Sequence, residues 1–190
     1  FMKKLSLYVF LGLIWFNPVN AKDCIKIENI CLGESALKFF SKKKLKDTEY
    51  YYFDDKNFVT SIIKNDSKFK TFEVVEIDYN KSDPQYKILY INGRIFMERP
   101  DACLVKMEEY NNLISSILNI DGKYSRLSNA ADEKNESYVT TYEFKKGDKI
   151  ISLECYEWSK RMQSRFSNNF TMSVTTKKFK DFQLGVVSTY

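Results

Sequence analysis

The chain has 190 residues, with 30 Lys and Arg against 25 Asp and Glu, a formal net charge of +5, and no histidine. Without histidine, Ser-His-Asp and Cys-His catalysis and histidine-ligated zinc are all excluded. A net charge this small, carried on so many mixed charges, is not the basic footprint of a nucleic-acid binder.

The first element is a leader. Lys3 and Lys4 precede an apolar run from Leu5 to Phe16, Pro18 breaks it, and Val19-Asn20-Ala21 ends in small or modest side chains. This is the layout of a secretory signal peptide cleaved after Ala21. The run falls short of the roughly 20 apolar residues a spanning helix needs. Asp23 stands before Cys24, where a lipoprotein would carry a small residue. Residues 22–190 are therefore expected to be one soluble domain, periplasmic or secreted. With Lys3 and Lys4 gone the basic count falls to 28 against 25 acids, a net charge of +3.

Cys24, Cys31, Cys103 and Cys155 are even in number and, in an exported chain, are expected to form disulfides. Cys103 heads the helical stripe Cys103-Met107-Tyr110-Ile114-Ile117. Cys155 alternates with Ile151 and Leu153 on one strand face. Both point into one core layer and are expected to pair, leaving Cys24 for Cys31. There is no Cys-x-x-Cys spacing, and neither a metal nor another cofactor is expected.

Residues 34–46, "ESALKFFSKKKLK", read as a short helix. Aromatic and β-branched runs follow: "EYYYF", "FVTSII", "FKTFEVVEIDY" and "YKILYINGRIF", the last two joined by the turn "NKSDPQ". Residues 99–122 give the clearest helix, with Asp101 as N-cap and Gly122 as stop. Residues 123–136 are polar and aperiodic and read as a loop. "SYVTTYEF", a "KKGD" hairpin turn, "KIISLECYEW" and "NFTMSVTTKKF" supply the closing strands. Helix then strands, twice over, predicts an α+β fold: an antiparallel sheet with two helices packed on one face, in two helix-plus-strands halves. Strand alternation leaves the other face for water or a partner.

The segments "KIENICLGESALKFFSKKKLK", "DACLVKMEEYNNL" and "LECYEWSK" resemble small exported proteins of marine SAR11-type alphaproteobacteria. That resemblance implies a Gram-negative envelope and carries no activity. The "LGES" helix entry before an antiparallel sheet is also similar to BamE-type assembly lipoproteins and to beta-lactamase-inhibitor-like domains.

Catalytic patterns are thin. Ser-x-x-Lys occurs at Ser35/Lys38, Ser41/Lys44, Ser61/Lys64 and Ser67/Lys70, as the abundance of both residues explains. Among the paired acids Asp54/Asp55, Glu108/Glu109 and Glu154/Glu157, only Glu157 continues an inward strand face to its rim. It is the candidate for a carboxylate site in a small-molecule or glycan binder or hydrolase. "SKKKLK" reads as the C-terminal end of the first helix, its cations complementing the dipole. The loop "SKRMQSRFSNN" gathers Lys160, Arg161 and Arg165 around Phe166. With 16% aromatic residues, not every ring can be buried, and Tyr156 and Trp158 share the face opposite Cys155. The leading expectation is a non-catalytic envelope protein that binds another envelope protein. Tyr156, Trp158, Lys160, Arg161 and Arg165 are the expected contacts.

Overall fold

The structure is a computed structural model that describes residues 24–53 and 55–185. The expected leader (residues 1–21) and Asp54 lie outside the described residues. The chain opens with a small hairpin, β1 (Lys26–Ile27) and β2 (Ile30–Cys31), closed by the Cys24–Cys31 disulfide. A 3₁₀ turn (Ala36–Lys38) and helix α1 (Lys42–Asp47) follow. Then come β3 (Glu49–Tyr50), β4 (Phe58–Lys64), β5 (Val74–Asn80), β6 (Ile88–Phe96) and helix α2 (Pro100–Leu118). The second half is β7 (Lys123–Ser128), β8 (Tyr138–Lys146), β9 (Lys149–Glu157), β10 (Asn169–Thr176) and helix α3 (Lys177–Gln183). The fold is α+β.

Strands β3 to β10 form one eight-stranded antiparallel sheet in the order β3-β4-β5-β6-β10-β9-β8-β7. Each run of four strands is a meander, because each short connection folds a strand back onto its predecessor. The two meanders meet where β10 pairs with β6, from Asn169 opposite Phe96 to Thr175 opposite Tyr90.

Alternation sorts the side chains to two faces. Val59 and Ile63, Val75 and Ile77, Ile91, Phe170, Met172 and Val174, and Ile151, Leu153 and Cys155 form the main core, with Leu45 of α1 and Cys103, Met107, Tyr110 and Ile114 of α2. The Cys103–Cys155 disulfide ties α2 to β9. Closing 52 residues, it stabilises the fold by about 4 kcal/mol in the chain-entropy picture. The expected stripe ends one residue early, since Ile117 is exposed.

Six expectations are corrected. Residues 34–46 are not one helix: Ser41 is a second N-cap, its Oγ accepting from Lys44 N, so α1 starts afresh after the 3₁₀ turn. "SKKKLK" consequently opens a helix rather than closing one. Asp101 lies inside the first turn of α2, behind Arg99 as N-cap and Pro100 at N1. The stop is Asn119, left-handed at φ 53°, while Gly122 lets the chain pass the Phe144 ring, which an added Cβ would meet at 2.7 Å. Residues 123–128 are an edge strand rather than loop. That strand is mostly exposed, so no alternation marks it. The last strand ends at Thr176, whose Oγ1 accepts from Phe179 N and starts α3.

Helix α3 covers one end of the sheet face opposite α2, where Phe179 and Phe182 pack with Phe53, Phe58, Leu89 and Tyr90. Among the described residues no helix is long and apolar enough to cross a membrane. The two disulfides suit an oxidising, extracytoplasmic compartment.

Close packing joins the hairpin to the sheet. The buried Glu28 carboxylate accepts from the backbone N–H groups of Lys70, Thr71 and Phe72 at 3.1, 2.7 and 2.9 Å. Phe72 is thereby set against Gly93 in β6, where an added Cβ would stand 2.5 Å from the ring. Gly93→Ala is therefore expected to destabilise the fold by about 1–3 kcal/mol in urea unfolding, because the added methyl group would overlap the buried ring.

Candidate functional site

The face opposite α2 is polar across its middle. Thr60 on β4, Glu76 and Asp78 on β5, Asn92 on β6, Thr171 on β10 and Ser152 on β9 are all buried there. Tyr52, Phe53 and Tyr90 line the same cleft as Thr60, Glu76 and Asp78, and each buried polar group needs a partner. Asn92 Nδ2 and Arg94 Nη2 donate to the two oxygens of Glu76 at 3.0 and 2.9 Å, and Thr60 Oγ1 donates to Asp78 at 2.6 Å.

Beside this band lies a cleft of about 410 Å³ lined by Arg94, Phe96, Tyr156, Trp158, Arg165, Phe166, Ser167 and Asn169. Its floor is one row across three strands, because Asn169 stands opposite Phe96 on one side and Tyr156 on the other. Its wall is the β9–β10 loop. Trp158 N donates to Asn168 Oδ1 at 2.8 Å, and Gln163 Nε2 donates to Trp158 O at 2.8 Å. The Trp158 ring is layered between Phe166 (centroids 4.4 Å apart, 18°) and Tyr156 (6.3 Å, 20°). Tyr156 donates its hydroxyl to Glu154, and burial together with that carboxylate pushes its phenol well up. Arg165 lies over the Phe166 ring, 5.7 Å from its centroid.

Of the expected contacts, the fold brings Tyr156, Trp158 and Arg165 together in this cleft. Trp158 is only 9% exposed, so it is a structural partition more than an accessible ring. Arg161 turns away to the buried Asp132 carboxylate. Hydrogen bonds from Ser137 and Ser159 and the Arg161 cation hold Asp132 below the usual carboxylate range. Lys160 is exposed and is not among the lining residues. Glu157 sits at the rim of the α2 side, as its alternation predicts. Arg126 holds both its oxygens at 2.5 and 3.3 Å, and Thr140 donates to it at 3.2 Å. It is engaged in structure rather than facing the cleft.

Sequence reasoning missed Arg94, Phe96, Asn169, Glu76 and Asp78. The signal was present in "VVEIDYN", where Glu76 and Asp78 alternate against Val75, Ile77 and Tyr79. Two acids on one face of an otherwise apolar strand mark a polar site. What places them beside Arg94 and Asn169 is the β5–β6–β10 pairing.

Glu76 and Asp78 line a second cleft of about 200 Å³ with Tyr52, Phe53, Thr60, Tyr90 and Gln183. Asp78 is 3% exposed and accepts from Thr60 and from Gln183 Nε2 (3.0 Å), with no Lys or Arg partner among the described residues. Burial therefore lifts its carboxyl to about 7, against the lowering effect of the Thr60 bond and with Glu76 adding repulsion. Among the described residues no group of three or more Cys, Asp or Glu could hold a metal ion.

The raised Asp78 value has a definite sign. The folded state holds this proton more tightly than the unfolded chain, so its ionisation costs stability progressively as pH rises from about 4 to about 7. The cost is fully present above that range. Each factor of ten is worth about 1.4 kcal/mol. Asp78→Asn is expected to stabilise the protein by up to about 4 kcal/mol at pH 8 and to leave it near wild type at pH 4. Urea unfolding at the two pH values measures the difference.

No family model matches the chain, and no curated protein or solved structure matches it.

Proposed function

We propose that the protein is an exported, non-catalytic binding module of the cell envelope that takes another envelope protein on its open sheet face. In this reading the helices of the two helix-plus-strands halves back one face and leave the other for recognition. The observation that carries the reading is the arginine and aromatic cleft. Phe96 and Phe166 are 43% and 36% exposed at its edge, and the Arg165 guanidinium has no carboxylate partner among the described residues. Aromatic and arginine side chains around a shielded centre are the composition of interaction hot spots.

A second reading, a binder of small polar ligands or glycans, has the Glu76–Asp78 cleft in its favour. There a buried carboxylate without a cation lines a cavity. A polar metabolite or oligosaccharide that raises the melting temperature of the wild type but not of Asp78→Asn would select it.

Arg165→Glu is the informative substitution for the first reading, since Trp158→Ala would empty a packed site. With the full chain immobilised against a detergent-solubilised envelope extract, Arg165→Glu is expected to lose a partner at least tenfold while its melting temperature stays within about 2 °C. Equal capture by both forms would overturn the assignment of this face.

A further inference from the structure

The polar atoms of the arginine cleft are arranged for a more specific guest. Arg94 gives one nitrogen, Nη2, to Glu76, while its Nε is buried without any partner among the described residues. Asn169, 8% exposed, donates Nδ2 to Ser167 O at 2.8 Å, and its Oδ1 is likewise buried and unpartnered. Arg94 stands opposite Thr171, two residues from Asn169 on the same face, so the two are diagonal neighbours across the β6–β10 seam. Leaving such groups unmet costs free energy, because each has lost water without gaining a bond. Arg165 supplies a full positive charge at the rim.

The opposing charges are already engaged. Glu76 is held by Arg94 and Asn92, and Glu154, in the adjacent row, accepts the Tyr156 hydroxyl. The cleft thus offers cationic donors, a buried neutral acceptor on Asn169 and an apolar wall of Phe96, Trp158 and Phe166. A carboxylate flanked by an N–H donor and an apolar side chain complements all three, and a polypeptide ends in that combination.

We infer that the cleft captures the C-terminal residue of a partner polypeptide. The carboxylate meets Arg94 Nε and Arg165, the last peptide N–H meets Asn169 Oδ1, and an apolar or aromatic last side chain lies along Phe96 and Phe166. An acidic side chain fits less well, since its carboxylate carries no adjacent N–H to satisfy Asn169. The inference rests on the protein-binding reading above and gives its partner a chemistry.

Trp158 reports occupancy directly. Trp15 is the only other tryptophan and lies outside the described residues, so the full chain carrying Trp15→Phe has one emitter, in the cleft wall. N-acetyl-Ala-Phe as the free acid, its C-terminal amide and 3-phenylpropionate would be titrated against tryptophan emission. The free acid is expected to shift the emission saturably, with the amide and the N–H-lacking acid each at least tenfold weaker. Arg165→Glu should weaken the free acid by a similar factor.

Equal response to acid and amide, or to the peptide and 3-phenylpropionate, would overturn the C-terminal assignment, as would no response to any of the three. If the envelope extract still yields a partner that Arg165→Glu loses, the protein-binding reading survives that result. If it yields none, both fall.

Discussion

The antiparallel pairing of β6 with β10 is the constraint on which the rest depends. It is the only seam between the two meanders among the described strands, and it brings together segments some 80 residues apart in the chain. Gly93 lies in it opposite Met172, open enough for Phe72 to cover it, and Glu28 fixes Phe72 through the backbone that precedes it. On the other face the same register sets Phe96 beside Asn169 and Arg94 beside Thr171. A one-residue slip would send Phe170, Met172 and Val174 outward and dismantle core and cleft together. The geometry of the site is therefore as secure as the core that backs it.

The open face differs from an ordinary solvated one in how deeply its polar groups lie. Aromatic groups enclose it at both ends, Phe53, Phe58, Phe179 and Phe182 at α3 and Tyr156, Trp158 and Phe166 at the β9–β10 loop. Between them, Thr60 bonds to Asp78, and Asn92 and Arg94 bond to Glu76, in short chains of hydrogen bonds. In low-dielectric surroundings such chains strengthen each bond and raise the cost of any group left out. Four groups carry that cost: Asp78 without a cation, and Asn92 Oδ1, Arg94 Nε and Asn169 Oδ1 without partners.

Local signals made some of this legible. The disulfide pairing follows from two periodicities, Cys103 on a 3.6-residue stripe and Cys155 on a two-residue alternation, because each fixes a side-chain direction. The same logic places Tyr156 and Trp158 opposite Cys155. It fails at β7, where an exposed edge strand has no face to declare, and at Thr176, where one hydroxyl converts strand to helix. It fails also for Arg161, whose partner Asp132 lies in a separate loop that nothing nearby in the chain announces.

The sequence by itself determined the α+β alternation, the positions of most strands, the four cysteines as two bridges and the lack of histidine chemistry. These depend on residue type and near-neighbour spacing, which any segment carries with it. Only the tertiary structure decided the strand order, and with it that Arg94, Asn169 and Arg165 share a cleft while Lys160, Arg161 and Glu157 do not. Those contacts join positions distant in the chain. Their energies depend on which surfaces lose water together, and a linear pattern does not encode that.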